Sequence, residues 1–569
     1  MKIFLSSKAA ADIALVLGVS YILYFYDLRY TPFFDKQEPR EALVVREIVQ
    51  SGNWILPLRD GNEIPSKPPL FHWFGALTSE VTRELDEFTV RFPSAFFATA
   101  GVLLVFFTAA RNWGRGEALL ASMVLATNYE WRQAAKAARV DMTLTFILLC
   151  AFLYFHHAYH SEWRKKSSLI LGCLLGLAVL AKGPLGFAVP VIAYLSFLWA
   201  KGDLSAVKRM HPFILVITCF VIAVSWYALA LWQGGWDFLD IVIKENFTMV
   251  VGAQAGHPHA FYWYVQAFFQ NAAPWSLFLI PIAIWLMRSG RQSGRDDYLF
   301  YLIWFGTVFI FFSAFTQKRS VYILSLYPAF AMLFAAWYAE LKKSTSEKSD
   351  LLAKPIAYLN AATFILFSAV LLSLMINPDL IKIISSRLYR KDEAQLLVLG
   401  QLIAQHGGLV FIWTIICGVG GILLTRFLRR NAWGANFAGT ATMMVFSFAV
   451  MQQFDNDIAQ HYSFKRFTEQ VVATIKNDRL YFFRTNDYGV EFYANRQIPV
   501  YTKLSSKPLT LPLYMLVWEN EWSGIEKNQG LKLQFVSESV DRQEFKRGHL
   551  HLVVVSEPLL PSHSTESRG

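Results

Sequence analysis

Charged residues are scarce in this chain, at 17% of its 569 residues, whereas 54% are hydrophobic and the mean hydropathy is +0.34. Soluble globular domains carry about 25% charged residues, so this shortage excludes an ordinary soluble domain. Several apolar runs, such as "FILVITCFVIAVSWYALALW", reach the roughly 20 residues that a bilayer-spanning helix needs. The composition therefore predicts an integral membrane protein.

Cysteines are also few, and they lie inside apolar runs, where they offer neither a disulfide framework nor the spacing of a metal site. No small-residue cleavage pattern follows the first apolar run, which is therefore predicted to be a retained helix. No internal repeat is apparent, which argues against a secondary transporter built on inverted repeats. The four cysteines are Cys150, Cys173, Cys219 and Cys417.

Basic residues give the chain a net charge of +11, and they cluster in short connectors such as "RNWGRGE", "HSEWRKKS" and "RFLRRN". If the N-terminus is cytoplasmic, every such connector falls on the cytoplasmic side, as the positive-inside rule requires. The excess charge is then a topology signal, and we expect no nucleic-acid partner. Thirteen spans are predicted, near residues 10–26, 88–110, 117–131, 141–159, 167–181, 184–199, 212–232, 272–287, 298–315, 320–339, 355–376, 409–425 and 434–450.

Two domains are predicted. Residues 1–450 form a polytopic helical membrane domain with long outer connectors at 27–87 and 233–271, of which the first is expected to carry a helix along the membrane surface. Residues 451–569 are more polar, and β-rich runs such as "LPLYMLVWE" alternate there with helical stretches. We expect a small α/β domain on the outer face, ending in a disordered tail, "PSHSTESRG".

The first outer connector opens with a dense group of charges, "FFDKQEPREALVVREI". Pro39 suits the first turn of a helix, which places Asp35, Glu38 and Arg40 at one helix end. Acids and a base at such a place make a site that can take a proton and hold an anion. The alternative is that Glu38 and Glu41 only complement the helix macrodipole.

Two further charges stand where the chain meets the membrane. Lys67 precedes two prolines, whose fixed φ angles hold it on a rigid backbone, which favours a function; the alternative is a lysine that snorkels to lipid phosphates. Asp141 begins an apolar span two residues after Arg139. A carboxylate at the mouth of a span is costly, which favours a function over a helix cap paired with Arg139.

Lys318 and Arg319 occupy an outer connector of only a few residues, against the positive-inside trend, which indicates a local anion. Tyr322 follows and is predicted either to line a pocket or to belong to the interfacial aromatic belt. His257 and His259 lack a third ligand, so a polar loop over a binding cavity is favoured over a metal site.

These motifs occur in a particular order: the acid-rich connector, "SGNW", "KPPL", "ARVDM", "AKGP", "KENF", "PWSLF" and "KRSVYILSLYP". Over about residues 20–340 the chain resembles the bacterial glycosyltransferases that use lipid-linked sugars, related to the lipid A aminoarabinose transferase and to protein O-mannosyltransferases. The resemblance implies a mainly α membrane protein of the GT-C type, with about 13 transmembrane helices. It also implies a polyprenyl-phosphate-sugar donor and a lipid, glycan or protein acceptor.

The resemblance also implies roles for residues. The family's Asp-Glu-x-Arg motif falls on Gln37 to Arg40, so that glutamine stands where the usual aspartate base is expected. The role of base then passes to Asp35, Glu38 or Asp141, or the activity is altered.

Lys67 and Arg40 match the residues that hold the lipid phosphate, Asp141 matches a second acidic position, and Tyr322 matches a tyrosine of the donor pocket. The expected chemistry is a single inverting displacement, in which a carboxylate takes the acceptor proton while cations stabilise the departing phosphate. No cofactor is required, although the site is compatible with a divalent cation. Lys318 and Arg319 are expected to add positive charge, and Arg139, His259 and Gln37 to line the pocket.

The expected location is the bacterial inner membrane, with a cytoplasmic N-terminus and a periplasmic active site and C-terminal domain. We expect a monomer surrounded by membrane lipids. The alternative function is a lipid or sugar transporter or flippase, which would need polar residues near the bilayer midplane rather than at the outer ends of the spans. A structural protein of the envelope would not explain the ordered motifs.

Overall fold

The computed structural model describes residues 7–251, 259–288, 296–343, 347–386, 390–501, 513–522, 531–544 and 547–558. His257 and the predicted tail "PSHSTESRG" lie outside these described residues.

Helices form the first and larger part of the molecule. Besides the α-helices there are a π-helical turn at Tyr21–Phe25 and 3-10 helices at Trp275–Phe278 and Ser320–Leu326. The helices of the first half are α1 (Ser7–Ser20), α2 (Glu38–Ser51), α3 (Leu70–Thr82), α4 (Glu87–Asn112), α5 (Arg115–Ala126), α6 (Tyr129–Ala135), α7 (Val140–Tyr159), α8 (Lys165–Lys182), α9 (Leu185–Lys201), α10 (Ala206–Arg209) and α11 (Pro212–Val251). Those that follow are α12 (Trp263–Asn271), α13 (Leu279–Arg288), α14 (Asp296–Ser313), α15 (Tyr327–Lys343), α16 (Glu347–Ile376), α17 (Asp379–Ser385), α18 (Arg390–Gln405), α19 (Gly407–Arg429) and α20 (Trp433–Tyr462).

Eight helices among the described residues are long and apolar enough to cross a membrane. The bent pair formed by α12 and the segment Trp275–Arg288, with an angle of 115°, raises this number to nine if it is one span. A helix occupies each of the thirteen predicted positions, but several are shorter or more charged, so the number of thirteen spans stays a prediction. The eight are Ser7–Phe25, Glu87–Asn112, Val140–Tyr159, Pro212–Glu245, Ser320–Lys343, Ala353–Ile376, Gly407–Arg429 and Trp433–Tyr462.

The connector between α1 and α4 folds into two helices that pack on each other. Pro39 lies in the first turn of α2, as its fixed φ favours. Apolar residues of α2, including Leu43 and Val45, are buried with Phe71 of α3 in a small core of their own. A Cβ at Gly75 would stand 2.9 Å from Val45, so glycine permits the close approach of the two helices. The predicted helix of this connector is therefore present.

A small α/β domain follows α20, which runs through the predicted boundary at residue 450 to Tyr462. Its elements are α21 (Lys465–Ile475), β1 (Leu480–Phe483), α22 (Tyr488–Tyr493), β2 (Val500–Tyr501), β3 (Leu513–Trp518), β4 (Leu531–Glu544) and β5 (Gly548–Pro558). The five-stranded sheet has the order β2-β1-β3-β5-β4, with β1 parallel to β2 and β3, and β5 antiparallel to β3 and β4. The core of this domain includes Phe467, Phe482 and Leu516.

This C-terminal domain docks on the end of the bundle that carries α2. The hydroxyl of Tyr493 accepts a hydrogen bond from the backbone N–H of Phe33 at 2.6 Å and donates one to Glu87 at 3.0 Å. Lys465 pairs with the same Glu87 at 2.8 Å, and Arg46 of α2 donates to the backbone carbonyl of Glu491 at 2.7 Å. The domain therefore lies on the same side of the bundle as the first outer connector.

Candidate active site

A cavity with about 950 Å³ of empty space lies at this end of the bundle, and we call it the lysine cavity. It opens between the connector before α3, the turn from α8 to α9, and the 3-10 helix Ser320–Leu326. Most of its wall is apolar, so charges that face it are poorly screened. The lining residues with polar side chains are Ser66, Lys67, Lys182, Tyr227, Glu245, Gln317 and Tyr322.

Lys182 is held at the edge of this cavity by two neighbours. It is the last residue of α8, and Gly183 ends the helix with a positive φ of 79°. Its ammonium group forms a buried ion pair with Asp141 in the first turn of α7 and lies 4.5 Å from the ring centre of Tyr322. Asp141 thus orients Lys182. Asp141 and Tyr322 were both predicted as site residues, whereas the sequence analysis did not select Lys182, the lysine that they contact.

Lys67 lies in the same lining, and it makes no hydrogen bond or ion pair with another described residue. Arg40 donates weakly at 3.4 Å to Ser66, the lining residue next to Lys67 in the chain, while the Nε of Arg40 is buried without a partner among the described residues. Burial would raise the pKa of Glu41, but a hydrogen bond with His72 at 2.7 Å, together with Lys67 and Arg40, lowers that pKa to about 2. The positive charges of Lys67 and Arg40 therefore lower the pKa of Glu41 through space.

A second cavity, with about 1190 Å³ of empty space, is rich in acids, and we call it the carboxylate cavity. Ser320 in its lining and Tyr322 in the lysine cavity belong to the same 3-10 helix, so the two cavities are neighbours. Its acidic and basic lining residues are Asp27, Asp35, Glu38, Arg91, Glu130, Lys136, Arg139 and Asp455.

Glu38 is the most constrained carboxylate of this cavity. Its two oxygens accept hydrogen bonds from Arg91 at 2.7 and 2.8 Å, and Oε1 also accepts the backbone N–H of Ala138 at 2.9 Å. The side chain is only 5% exposed. Three N–H donors on one buried carboxylate fix its position, so Glu38 joins α2 to α4 and to the connector before α7.

Asp35 has a more open arrangement. One carboxylate oxygen accepts the backbone N–H groups of Gln37 and Glu38, each at 2.9 Å, just before and at the start of α2. The other oxygen pairs with Arg139 at 2.6 Å, and both side chains remain about 30% exposed to the cavity. This carboxylate can therefore meet a molecule that enters the carboxylate cavity.

Glu130, at the start of α6, is an acid of this cavity that the sequence analysis missed. Its carboxylate accepts hydrogen bonds from Ser320 at 3.0 Å and from Asn271 at 2.9 Å. Burial raises its pKa to about 7, although Ser320 and Arg139 act in the opposite direction. A carboxyl group that titrates near neutrality can both accept and release a proton.

A sequence signal for Glu130 exists in "TNYEW", residues 127–131. The side chain of Asn128 accepts the backbone N–H of Trp131 at 3.0 Å and caps α6, so the predicted span 117–131 in fact ends at Ala126. An asparagine followed by an acid at the end of an apolar run marks a new helix rather than the continuation of a span.

Six predicted residues do not line either cavity: Gln37, Arg40, Asp141, His259, Lys318 and Arg319. Arg40 and Asp141 contact lining residues, Ser66 and Lys182 respectively. The Lys318 ammonium is buried, donates to the carbonyl of Phe315 and lies 5.9 Å from the ring centre of Tyr264. His259 is exposed and stacks on Trp263. Among the described residues, no three His, Cys, Asp or Glu side chains form a group suited to a metal ion.

The fold and these cavities define a membrane-embedded helical protein with a cationic cavity beside an acidic one. The family model described as dolichyl-phosphate-mannose-protein mannosyltransferase matches residues 66–228. The chain has the fold of ArnT from Cupriavidus metallidurans bound to undecaprenyl phosphate, with a TM-score of 0.76 at 18% identity over 96% of this chain and 98% of that one.

Sequence relatives agree with this fold. The chain is 27% identical over 373 residues to an undecaprenyl phosphate-alpha-4-amino-4-deoxy-L-arabinose arabinosyl transferase of Aeromonas hydrophila, an alignment covering 63% of this chain and 65% of the relative. It is 28% identical over 326 residues to an uncharacterized protein of Aquifex aeolicus, covering 56% and 62%. The matched part thus spans somewhat less than two thirds of these relatives. The predicted resemblance to lipid-linked-sugar glycosyltransferases of the GT-C type is confirmed.

Proposed function

We propose that this protein transfers a sugar from a polyprenyl phosphate donor to an acceptor hydroxyl or phosphate at the outer face of the bacterial inner membrane. The observation that carries the proposal is the lysine cavity, where Lys67 and Lys182 face a largely apolar space directly beside the carboxylate cavity. The names of the relatives support the donor class. Lipid A, a glycan or a protein remains the proposed range of acceptors.

The proposed step is one displacement at the anomeric carbon. The bond from the acceptor oxygen to this carbon forms while the bond to the phosphate oxygen breaks, and the acceptor proton passes to a carboxylate. The departing polyprenyl phosphate is a stable anion that needs no general acid. Lys67, Lys182 and Arg40 stabilise the charge that it gains, because ionic hydrogen bonds are strong in a poorly screened site. In this proposal a divalent cation is not required.

The surroundings of the acids suggest separate roles. Three N–H donors hold Glu38, which we assign to positioning α2. Asp141 is assigned to orienting Lys182. Asp35 and Glu130 line the carboxylate cavity and are the candidates for the proton acceptor. With these roles, the proposed reaction does not need an aspartate at the position that Gln37 occupies.

The test is sugar transfer from a labelled polyprenyl-phosphate donor by membranes that contain the full-length protein, with products identified by mass spectrometry of lipid A, glycans and envelope proteins. Lys67→Ala and Lys182→Met should each lower turnover about 100-fold or more, the usual effect of removing one group that stabilises transition-state charge. Asp141→Asn should lower it as well, because it releases Lys182.

Lys166→Ala is the matched control, because this exposed lysine lies at the opposite end of α8. It should leave turnover unchanged, and all variants should reach the membrane in equal amounts. Full turnover in both Lys67→Ala and Lys182→Met would refute the assignment of the lysine cavity. No transfer of sugar to any acceptor by the unaltered protein would refute the proposed function itself.

A further inference from the structure

A third cavity, which we call the rear cavity, lies between α4, α7 and α8 and has about 1780 Å³ of empty space. Asp141 lies in the first turn of α7, whereas His157 of the rear cavity lies in its last turn. At a rise of 1.5 Å per residue the two are about 24 Å apart along the helix. The rear cavity is therefore separate from the proposed active site and opens at the other end of the same helices.

Its lining changes from apolar to basic along α4. Leu104 and Phe107 line the inner part, with Leu153 of α7 and Leu174 of α8, while Arg111 and Asn112 line the outer part. The 26 residues of α4 span about 39 Å, which exceeds the roughly 30 Å of bilayer hydrocarbon. The last turn of α4 thus reaches headgroup depth, and Phe107 lies one turn deeper, in the acyl region.

The basic side chains at this rim are available to a ligand. Arg111 and His157 are exposed and make no hydrogen bond or ion pair with another described residue. The described lining contains no aspartate or glutamate. Lys165 and Lys166 stand exposed at the start of α8 and add positive potential at the same end. An alternative is that these basic residues only complement the dipoles of the helices that carry them. That alternative does not explain why the basic rim continues into an apolar cavity.

We propose that the rear cavity binds an anionic glycerophospholipid of the leaflet opposite the active site. Its phosphate meets Arg111 and His157, and an acyl chain lies along Leu104, Phe107 and Leu153. The basic rim at headgroup depth and the apolar wall one turn deeper match the distance between the phosphate and the acyl chain of a lipid in the bilayer. Basic pockets between helices on the cytoplasmic side are known to recognise lipid headgroups. Arg111 contributes a charge-assisted hydrogen bond to the phosphate. The basic rim, whose described lining contains no aspartate or glutamate, repels the quaternary ammonium of a zwitterionic headgroup and so favours an anionic one.

Native mass spectrometry of the purified full-length protein tests this site, with phosphatidylglycerol and phosphatidylcholine of identical acyl chains as probes. The unaltered protein should retain phosphatidylglycerol more tightly than phosphatidylcholine. Arg111→Gln combined with His157→Gln should weaken phosphatidylglycerol binding about tenfold or more, the size of one lost hydrogen bond to a charged group, and should reduce the preference for phosphatidylglycerol over phosphatidylcholine.

Arg429→Gln is the matched control, because Arg429 is the exposed last residue of the membrane-spanning helix α19 and does not line the rear cavity. It should bind phosphatidylglycerol as the unaltered protein does. Leu153→Trp, which fills the acyl part, should also weaken binding while leaving the basic rim intact. Equal retention of the two lipids, or unchanged phosphatidylglycerol binding in the double variant, would overturn the proposal. So would displacement of phosphatidylglycerol by equimolar polyprenyl phosphate or inorganic phosphate.

Discussion

At the scale of single residues, the acids of the site differ mainly in what surrounds their oxygens. Glu38 accepts three N–H groups, Asp141 is paired with Lys182, and Asp35 accepts two backbone N–H groups and pairs with Arg139. Glu130 instead accepts hydrogen bonds from a hydroxyl and an amide, without a direct cationic partner in its two bonds. A carboxylate held by neutral donors is the easier one to protonate.

Glu130→Gln tests whether Glu130 takes the proton of the acceptor. Because burial raises the pKa of Glu130 to about 7, its proton-accepting form grows as the pH rises through 7, and the turnover of the unaltered protein should rise with it. Glu130→Gln keeps the size of the side chain but should lose this limb of the pH profile and about 100-fold or more in turnover. The measurement is turnover between pH 5.5 and 8.5 at saturating donor.

Asp35→Asn is the companion variant. If Glu130 accepts the proton, Asp35→Asn should lower turnover while the limb near pH 7 persists. A profile that keeps this limb in Glu130→Gln and loses it in Asp35→Asn would assign the proton acceptor to Asp35 instead.

At the scale of elements, the contact between α2 and α4 positions the first outer connector. Arg91 of α4 is buried, joins Glu38 through two hydrogen bonds and also donates to the backbone carbonyl of Leu28 at 3.0 Å. Residues Asp86 and Thr89 form a capping box that starts α4 just before this arginine. The orientation of α2, and hence of Asp35 and Arg40, depends on this buried pair.

Breaking the ion pair between Glu38 and Arg91 should therefore lower the stability of the folded protein. Glu38→Gln leaves the Arg91 guanidinium buried beside a neutral group, which costs about 3–5 kcal/mol in other buried pairs. We expect a lowered thermal midpoint, measured in detergent, together with reduced turnover. Glu38→Gln combined with Arg91→Met should recover part of the lost stability. Unchanged stability with collapsed turnover in Glu38→Gln would instead show that Glu38 itself takes the proton.

At the scale of the whole molecule, the C-terminal domain and the proposed site share one end of the bundle. Arg46 of α2 is buried between Asp60, at 3.6 Å, and the backbone of Glu491 in α22. Burial raises the pKa of Glu491 to about 8 and that of Asp60 to about 6, partly opposed in each case by Arg46. Glu491 and Asp60 face a single arginine, Arg46, so the net charge of this interface depends on pH.

The sign of the pH effect follows from these raised pKa values. Protonated Glu491 and Asp60 are compatible with burial, so their contribution to stability is complete below the ordinary carboxyl pKa of about 4 and is lost as the pH rises through about 6 and about 8. The thermal midpoint should accordingly fall by several degrees between pH 5 and pH 8.5. Glu491→Gln should remove most of this decrease, and a midpoint equally pH-dependent in that variant would contradict the assignment.

Much of the candidate site could be predicted from local sequence. Asp35, Lys67, Asp141 and Tyr322 lie at span ends or in stiff connectors, where a charge or a phenol is costly without a partner, and the structure places all four in or beside the two cavities. Lys318 was selected by the same reasoning, but its ammonium turns inward to the carbonyl of Phe315. Position along the chain does not determine the direction of a side chain.

The sequence by itself determined the membrane class, the helical positions and the end of the bundle where charges gather, because hydropathy and charge placement are local properties that add along the chain. Only the tertiary structure decided which charges meet. Lys182 reaches Asp141 across 41 residues and Arg91 reaches Glu38 across 53, since helix packing brings together groups that no local pattern connects. Burial then gives otherwise similar carboxylates different proton affinities, because the cost of a charge depends on the donors and the dielectric around it.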